Sequence, residues 1–443
     1  MPGMDFDLFL TATAESISSE DYVVATYLIG AHRDADILQR ASMIGLEQTT
    51  GTWTRVPGET DEVRHRSAGR LIGIYSVPDY ESRGSIPADT TLRWYVARIA
   101  YPWINFYDNI PLLLSTVIGN ISAMDNLKLL DLEFPRSYVA QFKGPKFGVA
   151  GLRQMLNVPE RPLLNNMIKP CTGLTPAEGA RLFYGAARGG TDWIKDDELI
   201  GGSPAFSPLE ERVKAYMEAA RRADAEKGEM TLYSVNITDN PDRIRDNARR
   251  AIDAGANALM LNIFWAGFAA VRMLAEDPEI NVPLMIHNCG SGAMVANPYG
   301  GFSSVVGAKL ARLSGADMYL DYVPTMKFGG IDEKFRRIAQ VCLTPMYDLK
   351  PTMVHVGGGV TPGIVPHLMK RLGNDIAIGA GGGIHSHPAG PCAGATALRR
   401  AIDAAMAGVP LSEAAKSSPE LAQALEVWGE FGSEKMKSLF ALS

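Results

Sequence analysis

Apolar positions change rhythm along this chain. Over Asp21–Ile29 apolar and polar residues alternate, the period-two signature of a strand with one buried face. Asp34–Gln48 reads as a helix, and Leu71–Val77 and Thr91–Ala100 as further strands. Strands interleaved with helices, without a regular repeat, predict an α+β domain over residues 1–140. From Leu163 a beat sets in. Short apolar strands are expected at Leu163–Ile168, Asp192–Lys195, Thr231–Asn236, Ala258–Ile263, Val282–His287, Asp317–Asp321, Thr352–Val356 and Ile376–Ala380. Helical stretches such as Pro176–Ala187, Leu209–Glu226, Pro241–Ala254 and Gly307–Ser314 separate them. A doubly wound sheet would also alternate, but eight units over about 260 residues favour closure into a (β/α)8 barrel. That barrel, with its last crossover at Ala393–Ala407 and a helical tail, accounts for residues 141–443.

Chemistry in such barrels sits at the C-terminal strand ends. Those ends carry Lys169, Lys195–Glu198, Asn236, Asn262, His287, Asp321, Gly357–Gly359 and Gly381–Gly383. Composition changes the picture little: 46% hydrophobic and 21% charged residues describe an ordinary globular enzyme. A net charge of −6 without a basic block gives a nucleic-acid surface no support. Cys171, Cys289, Cys342 and Cys392 form no CxxC pair and suit a reducing, cytoplasmic setting. The start MPGMDFDLFL is acidic where a signal peptide is basic, and no apolar run is long enough to span a bilayer.

The segment Gly189-Gly190-Thr191-Asp192-Trp193-Ile194-Lys195-Asp196-Asp197-Glu198 carries the most information. On a strand Lys195 and Asp197 share a face, with Glu198 at the opening of the loop. Two carboxylates at a barrel mouth suit Mg²⁺, which seeks hard oxygen ligands, whereas a lysine ammonium there would be repelled. Carbamylation by CO₂ would turn Lys195 into a third anionic oxygen ligand. A plain Lys–Asp/Glu salt bridge is the alternative that these residues leave open.

This segment closely resembles the GG(L/M)D(F/L)xKDDE stretch of the RuBisCO large-chain family. Further similarities follow in family order: Glu47-Gln48-Thr49-Thr50-Gly51-Thr52-Trp53-Thr54, Thr116-Val117-Ile118-Gly119-Asn120 and Phe142-Lys143-Gly144-Pro145. Ile168-Lys169-Pro170 with Gly173-Leu174 comes next, then Ala380-Gly381-Gly382-Gly383 with His387 and Gly390. The resemblance implies an N-terminal ferredoxin-like α+β domain ahead of the barrel. It implies Mg²⁺ on carbamylated Lys195, Asp197 and Glu198, with Lys169 as an acid/base group and His287 as an active-site histidine. Lys327 corresponds to the mobile sixth-loop lysine that holds a carboxylate, although a solvated loop lysine would read the same. Thr52, Trp53, Gly359, Gly381 and Gly382 correspond to the first phosphate site, where glycine N–H groups make an anion nest. Glu47, Thr52, Trp53 and Asn120 would come from a partner subunit, so a homodimer is the smallest active unit expected.

Departures from the pattern set the expected reaction. Cys171 replaces a second lysine, and Ser291 a histidine. Asn288, Leu320 and Gly357 replace the arginine, histidine and serine of the second phosphate site. Each lost charge-assisted bond is worth about 1.5–3 kcal/mol, so a substrate with one phosphate is expected rather than a bisphosphate. The GxGxxG-like spacing in Gly357–Gly363 does not open a first βα unit and supports a dinucleotide site only weakly. Retention of Lys327 points to a carboxylate beside a metal-bound enediolate. The first expectation is therefore Mg²⁺-dependent decarboxylation of a 3-oxo-sugar-acid monophosphate such as 3-oxo-isoapionate 4-phosphate. Alternatives are a transcarboxylase/hydrolase on the same substrate, an enolase or isomerase of a methylthio sugar phosphate, and a non-catalytic descendant.

Overall fold

The computed structural model describes residues 10–51, 55–322 and 331–440. Strands are numbered in chain order: β1 (Tyr22–His32), β2 (Arg70–Val77), β3 (Leu92–Pro102), β4 (Leu127–Glu133), β5 (Leu163–Met167) and β6 (Trp193–Lys195). The remainder are β7 (Leu232–Asn236), β8 (Ala258–Asn262), β9 (Leu284–His287), β10 (Met318–Tyr322), β11 (Met353–Gly357) and β12 (Ile376–Ala380). The chain divides into two compact units, one made of Met1–Phe142 with Gly290–Leu310, the other of Lys143–Cys289 with Ala311–Ser443.

The first unit holds a four-stranded antiparallel sheet in the order β2-β3-β1-β4, the arrangement of a ferredoxin-like α+β domain. In β1 the expected alternation is explicit: Val23, Ala25, Tyr27 and Ile29 are fully buried, with half-buried residues between them. Asp36 caps the helix Ile37–Glu47 by accepting the Gln39 N–H at 3.0 Å. The sequence reading contains no strand at β4, which is an edge of this sheet. Gly290–Leu310 runs alongside it. Leu129 donates to the Gly301 carbonyl at 3.0 Å and accepts from the Ser303 N–H at 2.9 Å. Lys309 Nζ meets Asp131 Oδ1 at 2.6 Å.

The second unit is a closed barrel of eight parallel strands, β5 to β12 in order. Register and packing agree on which residues face inward. Leu163, Trp193, Leu232, Ala258, Met260, Met285, Met318, Met353 and Ala377 form one apolar cluster, sealed by Val149, Leu152 and Leu156 of the helix Gly148–Leu156. Positions two further along β5, β6 and β11 are polar: Asn165, Lys195 and His355. The barrel interior thus passes from methionine and leucine packing to chemistry at the C-terminal strand ends. The observed strands lie within two residues of the expected ones, and Thr175 with Glu178 forms the capping box that starts the helix Pro176–Arg188.

Candidate active site

The loop after β6 sorts its three acids by environment. Asp196 turns away from the mouth: its Oδ1 accepts from Tyr233 Oη at 2.7 Å, and its Oδ2 accepts from the Asn236 N–H at 3.0 Å and Arg212 Nε at 3.2 Å. Arg212, itself fully buried, also donates to the carbonyls of Ser207 and Gly202 at 2.6 and 3.1 Å. This pair anchors the loop. The other two acids face the lysines. Lys195 is completely buried, and its Nζ donates to the Asp196 carbonyl at 2.8 Å and to Glu198 Oε2 at 3.2 Å. Lys169, just beyond β5, donates to Asp197 Oδ2 at 2.5 Å and to Cys171 Sγ at 3.0 Å.

His287, the last residue of β9, lies with Nε2 3.3 Å from Glu198 Oε2. Its Nδ1 accepts the Cys289 N–H at 3.0 Å, so the ring proton belongs on Nε2, directed at the carboxylate. Burial drives Glu198 upward, but the His287 bond and the charges of Lys195 and His287 outweigh it and hold the carboxyl well below the usual range. His287 is pushed down, first by burial and then by the Lys195 charge. Burial also opposes the Lys169 ammonium, yet its bonds to Asp197 and Cys171 prevail and hold it above the ordinary lysine value. Asn236 and Asn262, at the ends of β7 and β8, fix the loop backbone: Asn262 Nδ2 reaches the Glu198 carbonyl at 3.0 Å, and Asn236 Nδ2 the carbonyls of Asp197 and Glu198 at 3.3 Å.

A cavity of about 360 Å³ opens over this constellation. Lys169, Glu198 and His287 line it together with Gly359, Gly381 and Gly382. Gly358 and Gly359 have φ of 95° and 92°, a backbone form that side chains resist. At Gly381 a Cβ would come within 3.0 Å of Lys169 Cε, so glycine lets the lysine lie against the end of β12. Met167, Leu320, Tyr322, Val360, Trp428 and Leu439 give the remaining wall an apolar character.

The family profile for the ribulose bisphosphate carboxylase large chain matches in both parts, the N-terminal domain over residues 12–138 and the catalytic domain over residues 148–428. This chain is a RuBisCO-like protein, of form IV in the large-chain family. It is 46% identical over 90% of each chain to a ribulose bisphosphate carboxylase-like protein of Archaeoglobus fulgidus. It is 36% identical to the 2,3-diketo-5-methylthiopentyl-1-phosphate enolase of Geobacillus thermodenitrificans, covering 92% of this chain and 98% of that one. Among solved structures, a rubisco-like protein (MtnW) from Alicyclobacillus acidocaldarius superposes with TM-score 0.83 at 37% identity, covering 92% of this chain and all of that one. The octameric Rubisco of Pyrococcus horikoshii superposes with TM-score 0.85 at 32% identity, covering 95% and 96%.

In this RuBisCO-like protein the expected site residues fall into three groups. Lys169, Lys195, Asp197, Glu198, His287, Gly359, Gly381 and Gly382 come together at the barrel mouth. Glu47 and Asn120 belong to the other unit, where both are exposed. Gln48 Nε2 there donates to the carbonyls of Ser115 and Thr116 at 2.9 Å, tying the helix end that bears Glu47 to the turn before Asn120. Thr52, Trp53 and Lys327 lie outside the described residues.

Among the described residues no three His, Cys, Asp or Glu side chains stand together as a metal site. Asp197 and Glu198 alone are too few donors for a hard divalent cation. The lysine between them decides the fit. As drawn, Lys195 and Lys169 neutralise the two carboxylates. A carbamate on Lys195 would supply a further oxygen and leave the cluster two charges negative, matching Mg²⁺. The residues fit the ion on that condition.

The RuBisCO-like protein also pairs two polar residues that the sequence reading named only separately. Asn288 Nδ2 donates to Asp321 Oδ1 at 2.8 Å, beside Leu320 in the cavity wall. Asp321 is partly exposed as a residue, yet its carboxyl is enclosed, and burial pushes it up to about 7 against the bonds from Tyr322 N–H and Asn288. The sequence places Asp321 at a strand end, but the asparagine facing it is a tertiary contact. Among the described residues no helix is long and apolar enough to cross a membrane.

Proposed function

We propose that this RuBisCO-like protein catalyses Mg²⁺-dependent enolisation of a diketo-sugar monophosphate of the 2,3-diketo-5-methylthiopentyl-1-phosphate type. One observation carries the reading: the cavity lining is chemically mixed. Its glycine turns and Lys169 offer an anion-accepting surface, and Leu320, Met167 and Tyr322 add apolar surface to the same lining. At the second-phosphate position Asn288 is committed to Asp321 and is not free to bind an anion. A substrate with one phosphate and an apolar tail matches that lining. Curated relatives at 36% identity are named as enolases acting on such a compound, which supports proton transfer over carbon–carbon cleavage.

In this reading carbamylated Lys195, Asp197 and Glu198 hold Mg²⁺, which when bound polarises the substrate's adjacent oxygens. The side chains then divide the remaining work. Lys169 Nζ, lining the cavity, moves the proton to or from the reacting carbon, acting as a base only after Asp197 has turned to the metal and the ammonium has given up its own proton. His287 keeps Glu198 ionised and oriented through its Nε2–H. Gly359, Gly381 and Gly382 receive the phosphate, and the apolar wall excludes water from the carbon that loses its proton. The active unit is a homo-oligomer in which Glu47, Thr52, Trp53 and Asn120 reach the partner's barrel. Solved relatives include an octameric and a dimeric Rubisco, which supports assembly.

Decarboxylation of a 3-oxo-acid phosphate stands as the second reading, on the presence of Lys327 in the sequence. The deciding assay gives the purified protein Mg²⁺, bicarbonate and, in separate reactions, the methylthio diketo phosphate and 3-oxo-isoapionate 4-phosphate. The expected result is conversion of the first to its enol isomer, lost with a chelator, and no CO₂ from the second. CO₂ release from the second with the first unchanged would overturn the enolase reading.

A further inference from the structure

Below the mouth of the barrel lie two side chains that neither the proposed chemistry nor the loop anchors use. His355 is central in β11 and Asn165 central in β5, and both are completely buried. Strand β12 lies between them, its Gly379 in register with Asn165. A Cβ on Gly379 would meet the imidazole at 2.2–2.3 Å, so this glycine is the notch that lets the His355 ring lean across β12 towards β5. Both ring nitrogens of His355, and both amide atoms of Asn165, find no hydrogen-bond partner among the described residues. Leaving such groups unpaired costs about 1–3 kcal/mol each, which is why buried polar clusters bind water. The surroundings keep the imidazole neutral: burial first, then the charges of Lys195 and His287, hold it far below the ordinary histidine value. A neutral ring offers one donor and one acceptor, and the amide offers both kinds. Water between the two can satisfy them together.

We propose that His355 and Asn165 hold bridging water inside the barrel, and that this hydrated polar floor positions the Lys195 side chain above it. Lys195 is fully buried in the same interior on β6, the strand paired with β5, two residues beyond Trp193, which is in register with Asn165. An apolar floor would leave the lysine stem without a fixed polar layer beneath it. His355 and Asn165 therefore act through Lys195, and neither touches substrate.

The positioning half rests on carbamylation of Lys195; the water half does not. A high-resolution crystal structure of the full chain tests the water: ordered density bonded to both His355 and Asn165 is expected. Side chains rotated to bond each other or the backbone, with no density between, would overturn it. For positioning, the protein is loaded with ¹³C-bicarbonate and Mg²⁺, and the carbamate carbon is followed by NMR, assigned by its loss in Lys195→Ala. His355→Phe and Asn165→Leu are expected to lower that signal at fixed bicarbonate about fivefold, the equivalent of one lost hydrogen bond. His355→Gln, which keeps a donor and an acceptor, should restore most of it even if folding is weakened in the apolar variants. An unchanged signal in all three overturns the positioning role. No signal in the parent overturns the positioning role together with the metal reading, whereas an intact parent signal that the variants leave unchanged overturns the positioning role alone.

Discussion

Lys169 is the side chain on which proton movement depends, because it lines the cavity and bonds directly to Asp197. Lys169→Ala is expected to lower kcat by about 10²–10⁴, the usual worth of a positioned acid/base group, and to lower the melting temperature as well, because Asp197, 1% exposed, loses its paired cation. Circular dichroism and steady-state assays on one preparation check both halves. Asp321 makes a prediction of a different kind. Its folded carboxyl titrates near 7, above the ordinary aspartate range, so the native state holds a proton that the unfolded chain has released. Its contribution to stability is present at low pH and is lost as pH rises through the window from about 4 to 7. Asp321→Asn removes that slope while keeping an acceptor for Asn288. The melting temperature of the variant relative to the parent should therefore climb from pH 5 to pH 8; a constant difference would show that the carboxyl is already ionised at pH 5.

At the scale of elements, the loop after β6 depends on an ion pair hidden from solvent. Arg212 and Asp196 are 0% and 1% exposed, and Asp196 also accepts from Tyr233 and the Asn236 backbone. Asp196→Ala leaves a buried guanidinium without its counter-charge and should cost about 3–5 kcal/mol in denaturant unfolding. Because the same loop carries Asp197 and Glu198, Mg²⁺ affinity should weaken in parallel. The regular part of this architecture is legible from periodicity: each barrel strand is a short apolar run with a polar end, and the observed limits agree within two residues. The catalytic lysines and acids are legible for the same reason, since they sit at those ends. What periodicity does not disclose is pairing across the fold. Asp196 and Asp197 are adjacent letters with opposite fates, decided by Arg212 and Lys169. Asn165 and His355 read as ordinary strand residues until β12 brings them into one interior. Strand β4, with Leu127, Leu129 and Leu132 buried, lacks clean alternation because its pairing with β1 shifts register at Leu130 and changes which face the following residues take.

For the whole molecule the expectation concerns shared sites. If Asn120 completes the barrel of a partner subunit, Lys169→Ala and Asn120→Ala homo-oligomers should each be inactive. Mixing them after reversible dissociation should regain about a quarter of the parent activity, since random two-fold pairing leaves that fraction of sites intact. Mixtures that stay inactive would show that Asn120 does not act in a partner's site, and an active Asn120→Ala oligomer would place it outside the site altogether.

The alliance of β4 with Gly290–Leu310 also bears on how the chain is made. Translation delivers β4 early, yet the stretch that pairs with Leu129 and receives Lys128 emerges more than a hundred residues later. Throughout that interval the nascent sheet carries an open edge able to pair with any neighbouring strand. A fragment ending at residue 142 is frozen in that condition. The N-terminal unit is contiguous at its start but not self-sufficient, and on a crowded ribosome it becomes a client for chaperones until synthesis has passed well into the barrel.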